Sequence, residues 1–364
     1  MIKFFDIANQ DKKYFNEIFF NLKKNIKKTD FILGKNVKLF EKEFAKYCNS
    51  KYAISCANGT DALTIALKSL NFKKGSEVIL PAMTYCSTLM AVLNANLKPV
   101  LVDIEKNSSS VDIDEIKKKI SKKTKAIIPV HLYGSSVNLS KLKKIIKKKK
   151  IILIDDCAQA HGAYDNSSGK KLKIGSICDI SCFSFYPGKN LGAYGDAGII
   201  TTNKVKFCRK ISSLRNLGSE IKFKHKYLGL NSRLDTLQAT ILRTKLKYLD
   251  YHNQKRKKIA RNYSENINNK KIVKLNYSKY SVHHQYVIKS SKRNLLIQKF
   301  KKNKIQYGFH YPYPLNKLDF VKKIFKKQNF PNAEELAVKG ISIPIDPYLK
   351  KKDQKKIINV INSL

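Results

Sequence analysis

Between residues 50 and 200, short apolar runs alternate with stretches of helical periodicity, and this alternation restricts the possible folds more than any other feature of the chain. Tyr52–Cys56, Glu77–Leu80, Pro99–Asp103, Ala126–Val130, Ile151–Asp155, Ile180–Phe185 and Gly198–Thr202 read as strands. Thr60–Leu70, Ser87–Ala95, Asp112–Ile120 and Leu139–Lys149 read as helices between the earlier of them. Strands separated by helices of this length imply an α/β architecture with a mostly parallel sheet flanked by helices. The runs are nearly continuous in apolar character, as strands covered on both faces should be. From 235 to 265 a long polar helix carries Leu237, Ile241, Leu242, Leu246 and Leu249 on one side. Shorter elements around Val282–Ile288, Asn294–Lys302 and Asp353–Leu364 then suggest a smaller α+β domain. The expected division is a large α/β domain over residues 1–250, with a short N-terminal arm, and a small C-terminal α+β domain over 251–364.

The formal charge of +46 at first suggests a polyanionic partner. Only 7 of the 73 basic residues are Arg, however, and proteins that read nucleic-acid grooves rely heavily on Arg forks. Residues 151–200 escape the excess, with four Lys against five Asp. In Lys141–Lys147, Leu142, Ile145 and Ile146 form one apolar stripe, leaving the lysines on a solvated face. The charge therefore reads as a surface bias, and no nucleic-acid partner is expected. Seven cysteines without a C-x-x-C pair indicate neither a disulfide framework nor a zinc ribbon, and no metal site is expected. Cys178 and Cys182 read as buried thiols. No stretch approaches the roughly 18 apolar residues of a membrane span. Asp6 interrupts the apolar start where a signal peptide would continue, so the expectation is a cytoplasmic chain with no membrane partner.

Three segments look unlike packing. In Asn58-Gly59-Thr60-Asp61-Ala62-Leu63 a strand closes and a helix opens. Gly59 allows close backbone approach and the helix start offers free N–H groups, a ready site for a phosphate, although the same turn serves as a routine N-cap. In Ile154-Asp155-Asp156-Cys157-Ala158-Gln159-Ala160-His161-Gly162-Ala163, two carboxylates end an apolar strand at the edge where open α/β sheets bind ligands. In Ser184-Phe185-Tyr186-Pro187-Gly188-Lys189-Asn190-Leu191-Gly192, a lysine sits between two glycines inside the charge-balanced block. A lysine, a strand-end acid and a phosphate cradle together specify pyridoxal 5'-phosphate, which needs an imine partner, an acid at its ring nitrogen and a phosphate site. A carboxylate about 4 Å from a pyridinium, at an effective dielectric near 20, gains roughly 4 kcal/mol, or about three pKa units. Asp156 is the candidate for that acid. Gln159, one helical turn on, is placed to hydrogen-bond the phenolic oxygen.

At these residues the chain resembles the DegT/StrS-type sugar aminotransferases, which have the fold-type I aminotransferase architecture. The likeness runs from about residue 4 to the C-terminus. It rests on N-G-T-D-A-L, P-A-x-T-Y, P-V-H-L-Y-G, D-D-x-A-Q-A-H-G-A, S-F-Y-P-G-K-N-L-G and N-S-R-L-D-x-L-Q-A. The resemblance implies that Lys189 holds the cofactor as a Schiff base, Asp156 pairs the ring nitrogen and Gln159 contacts the phenolic oxygen. Gly59, Thr60 and Ser184 would hold the phosphate and Tyr85 would stack on the ring. Asn231 resembles the residue that reaches the phosphate in a neighbouring subunit's site, which implies a homodimer with shared active sites. Tyr186, and His310 and Tyr311 in Gly308-Phe309-His310-Tyr311-Pro312, would face the sugar, although a buried His-Tyr pair accounts for the last two equally simply. Cys157 stands where the family usually has Ala, and Asp155 often corresponds to Glu.

The implied reaction moves an amino group from glutamate, released as 2-oxoglutarate, to a keto-sugar carried on a nucleoside diphosphate, for amino-sugar and surface polysaccharide synthesis. A 3-keto sugar is slightly favoured over a 4-keto sugar. Lys189 argues against the family branch that has His there and dehydrates its sugars. The charge motivates the remaining alternative, a regulatory or nucleic-acid-binding protein without the cofactor.

Overall fold

The computed structural model describes residues 1–325 and 328–364. Its seven-stranded sheet has the order Tyr52–Cys56, Gly198–Thr202, Ile180–Ser184, Ile152–Asp156, Thr124–Ile127, Glu77–Pro81, Lys98–Val102. Gly198–Thr202 is antiparallel to both of its neighbours, and the other six strands run in one direction. This is the mostly parallel, helix-flanked sheet of the fold-type I class.

Successive residues of each strand enter different cores, because side chains alternate across a sheet. Val78, Leu80, Ile154, Ile180 and Ile200 pack on one face with the helices Gly59–Ser69, Cys86–Asn94 and Val205–Leu214. Ile79, Ile127, Leu153, Phe183 and Ile199 pack on the other with Lys35–Cys48, Ile113–Lys119 and Leu139–Ile146. Two covered faces explain the unbroken apolar runs. The helix ends follow local chemistry: the Asn58 side chain accepts the Asp61 N–H at 2.8 Å, and Asp112 accepts those of Asp114 and Glu115.

Two elements depart from the sequence expectation. The helix expected across 235–265 is two helices, Thr236–Leu246 and Leu249–Asn266. The break at Tyr248 coincides with its ring stacking on Tyr14 at 4.6 Å. It lets Leu249 enter the large core while Ile259 and Tyr263 enter a separate C-terminal one. Two helices, Phe15–Ile26 and Lys35–Cys48, also precede the first strand, where only a short arm was expected.

The C-terminal core is built on an antiparallel sheet of Ile272–Lys274, Tyr286–Ser290 and Gly340–Ile343. The first residues of the chain join it. The Ile2 N–H donates to the Lys304 carbonyl at 2.8 Å, and the Gln306 N–H donates to that of Ile2 at 2.9 Å. Among the described residues no helix is long and apolar enough to cross a membrane.

Asp103, just beyond the edge strand Lys98–Val102, accepts the N–H groups of Asn332 at 2.9 Å and Ala333 at 2.8 Å. These lie in the first turn of the helix Pro331–Lys339, whose own N-cap position, Phe330, supplies no side-chain acceptor. Asp103 thus caps a helix about 230 residues away in sequence. Asp103→Ala strands buried donors and should lower stability by about 1–3 kcal/mol, read as a fall in the urea midpoint with an unchanged slope.

Candidate active site

The carboxyl ends of the parallel strands share one edge, and the reversal from Ser184 to Gly198 closes over it. The Phe185 N–H donates to the Ala197 carbonyl at 2.7 Å and the Ala193 N–H to that of Phe185 at 2.8 Å. Gly192 is required in this loop, because a Cβ there would come within 2.3 Å of the Pro187 carbonyl oxygen. The loop directs Lys189 into a chamber of about 670 Å³, within the usual range for small-molecule sites. Burial pushes the Lys189 amine down to about 8, with the Asp156 charge opposing that shift. Such an amine is partly unprotonated near neutral pH, as a nucleophile must be.

Asp156 ends the central strand with 6% of its surface exposed. Its Oδ2 accepts the Thr88 hydroxyl at 2.8 Å and its Oδ1 the Ala158 N–H at 3.1 Å. Burial still raises its pKa, against these hydrogen bonds and the charge of Lys189. A cation placed in contact would reverse that shift, so the carboxylate suits a pyridinium nitrogen. Its neighbour Asp155 projects to the opposite face and meets His131 Nε2 at 3.2 Å. His131 Nδ1 accepts the Val137 N–H at 3.1 Å, so the ring proton sits on Nε2 and donates to Asp155. The polar atoms of His131, Asp155 and Cys157 lie within 4.8 Å of one another, but that proton occupies the nitrogen a cation would need. The second acid of the pair therefore has a structural partner.

Gly59 and Thr60 open the helix Gly59–Ser69 at the chamber wall. A Cβ at Gly59 would meet that of Ser184 at 2.6 Å, so glycine brings the helix start and the serine together. The Thr60 hydroxyl donates to Ser87 Oγ at 2.7 Å. Free N–H groups and hydroxyls gathered at a helix start form an anion cradle. Gln159 accepts the Tyr133 N–H at 2.6 Å through Oε1 and donates to the Tyr311 hydroxyl at 2.9 Å through Nε2. Tyr85 lies 5.4 Å from the Tyr311 ring, centroid to centroid, and Tyr186 stands exposed at the rim. His310 Nδ1 meets Ser342 Oγ at 2.8 Å, and burial holds the His310 pKa near 4.

Every residue expected at the site therefore lines one chamber except Asn231. That residue is exposed and lies outside the chamber wall of its own chain. Sequence reading missed Thr88, Asn190, His284, Gln285 and Phe5. Thr88 carried a faint signal, lying four residues past the threonine of P-A-x-T-Y, whereas His284 and Phe5 come from segments without a motif.

The residues fit pyridoxal phosphate: an amine, a buried carboxylate, an anion cradle walled by glycine, and an amide at the remaining corner. Fold and site together define a pyridoxal-phosphate aminotransferase. The model of the DegT/DnrJ/EryC1/StrS aminotransferase family matches residues 13–362, and the chain belongs to that family. It is 39% identical over 364 residues, covering 100% of this chain and 99% of the relative, to dTDP-3-amino-3,6-dideoxy-alpha-D-galactopyranose transaminase of Aneurinibacillus thermoaerophilus. It is 36% identical over 351 residues, covering 95% and 93%, to UDP-N-acetyl-3-dehydro-alpha-D-glucosamine 3-aminotransferase of Acidithiobacillus ferrooxidans. The crystal structure of S. venezuelae DesV with a ketimine intermediate superposes with a TM-score of 0.95 at 30% identity, covering 100% of this chain and 98% of that one.

Mixing apoprotein with the cofactor should develop visible absorbance at a rate that rises with pH and levels off above about 8, where the Lys189 amine has lost its proton. Lys189→Ala should leave no such absorbance. A rate limited only near the ordinary lysine value would contradict the burial effect.

Proposed function

We propose that the protein transfers an amino group from glutamate to a keto-sugar linked to a nucleoside diphosphate, with the 3-keto position favoured. The observation that carries this reading is the pairing of a half-buried lysine of lowered pKa with a buried carboxylate across one chamber. The names of the two relatives support the sugar and the 3-position: one makes a 3-amino-3,6-dideoxy sugar on dTDP, and the other aminates a 3-dehydro sugar on UDP. The seven thiols are free, which suits a reducing compartment such as the cytoplasm.

When bound, the cofactor supplies a carbonyl that condenses with amines and a ring that accepts electrons from the adjacent C–H bond. Asp156 keeps a proton on the ring nitrogen by its charge. Gly59, Thr60 and Ser184 hold the phosphate, and Gln159 orients the phenolic side. Lys189 Nζ first anchors the cofactor. Once released, its free amine would serve as the general base that takes the proton from the donor's α-carbon, and as the acid that gives it back. Tyr186, His310 and Tyr311 form the sugar side of the chamber. A lysine at 189 suits transamination over dehydration, in which a sugar C–O bond breaks and glutamate is not consumed.

In this reading Asn231 serves the site of a partner subunit, so the working form is a homodimer. Chains carrying Lys189→Ala and chains carrying Asn231→Asp are each expected to be inactive. Randomly mixed during refolding, they should regain activity at roughly one site in four, because each mixed dimer of a two-fold pair holds one intact site. No recovery would place Asn231 in its own chain's site or outside any site. The reaction itself is tested by glutamate-dependent amination of 3-keto and 4-keto sugars on dTDP and UDP, followed by mass spectrometry. Asp156→Asn should slow turnover by on the order of a thousandfold, the equivalent of the roughly 4 kcal/mol pairing.

A further inference from the structure

The relative placement of His284 beside the lysine loop fixes its hydrogen-bonding character. Two backbone carbonyls, whose identity as acceptors is unambiguous, determine the chain of contacts that leads to it. Asn253 Nδ2 donates to the His161 carbonyl at 2.8 Å, which turns Asn253 Oδ1 toward Asn190. Asn190 Nδ2 donates to that oxygen at 2.8 Å and to the Val282 carbonyl at 3.2 Å. Asn190 Oδ1 is therefore an acceptor, and it lies 3.0 Å from His284 Nδ1. The His284 proton must sit on Nδ1, which leaves Nε2 with a lone pair and no hydrogen.

The charged and titratable groups around the ring keep it in this state. Burial comes first, followed by Lys189 on the loop, Arg256 on the helix Leu249–Asn266, His310 and His161, all of which hold the His284 pKa well below the ordinary value. Within the chain, Nε2 has only the Gln285 amide, at 3.5 Å, the outer limit of a hydrogen bond. The ring lies on the chamber wall and is braced by Phe5, stacked at 6.4 Å.

We infer that His284 is a specificity-determining residue whose Nε2 accepts a hydrogen bond from a hydroxyl of the amino-accepting sugar. This rests on the sugar reading above. The cofactor's polar groups already have partners in Asp156, Gln159 and the helix start. Glutamate, once its amine is engaged, presents carboxylates, which are acceptors and gain nothing from an acceptor-only nitrogen. A sugar presents hydroxyl donors. An acceptor that serves only one of the two substrates separates the two halves of the reaction.

The test follows each half-reaction alone in the cofactor-loaded enzyme: loss of the visible band with glutamate, and its return with the keto-sugar nucleotide. His284→Phe keeps a ring against Phe5 and removes both nitrogens. It should lower kcat/KM of the sugar half-reaction by about 10- to 100-fold and change the glutamate half-reaction by less than about threefold. Asn190→Asp provides a second route. A carboxylate beside Nδ1 raises the His284 pKa, so the ring is charged below that value and Nε2 becomes a donor. Relative to the wild-type enzyme at each pH, the sugar half-reaction of this variant should be slowed most at low pH and approach the wild-type rate as pH rises. Neither lost packing nor the Lys189 titration shared by both proteins would produce that dependence. Equal slowing of both halves in His284→Phe, or no slowing of the sugar half, would overturn the assignment. A wild-type enzyme that reacts with glutamate but with no keto-sugar nucleotide would overturn the sugar reading, and the role of His284 with it.

Discussion

A carboxylate buried at the end of a parallel strand is costly unless a cation is brought to it, and much of the site can be read as the answer to Asp156. The helix Cys86–Asn94 contributes the Thr88 hydroxyl, and the turn after the strand contributes the Ala158 N–H. Even so, the proton is held more tightly than usual. The single antiparallel strand matters here. By returning through the sheet at Gly198–Thr202, it forces the chain after Ser184 to double back over the same edge, and Lys189 rides on that reversal. The acid and the amine thus come to one chamber from strands that are neighbours in the sheet.

Much of this was legible in the sequence, because the informative interactions are short in range. All seven strands of the large sheet fall within a few residues of their expected positions, since burial on both faces writes itself as unbroken apolar runs. Gly59, Asp156 and Lys189 could be picked out because each sits in a turn whose purpose shows in its immediate neighbours. Of the two acids at the strand end, Asp155 and Asp156, only Asp156 could be given a role from sequence. The period of a strand sends them to opposite faces, one to His131 and one to the site.

What was hidden depends on contacts between distant segments. Thr88 reaches Asp156 across 68 positions, and His284 reaches Asn190 across 94. No local pattern marks either. The helix break at Tyr248 was equally invisible, because the ring it stacks on belongs to Tyr14. Asn231 is the opposite case: its motif was plain and by resemblance pointed to a neighbouring subunit's site, and the residue lies outside its own chain's chamber.

The lowered pKa of Lys189 also bears on the surface around it. The chain carries 66 lysines, counted as 73 basic residues less 7 Arg, and an aldehyde in solution can condense with any of them. At pH 7 an amine titrating near 8 is unprotonated a few hundred times more often than one at the ordinary 10.5. A lysine-rich exterior would otherwise act as a sponge for the cofactor. Acidity gives Lys189 an advantage over ordinary surface amines. Burial lowers Lys173, Lys245 and Lys257 as well, so the single address comes from the lowered amine and the chamber together.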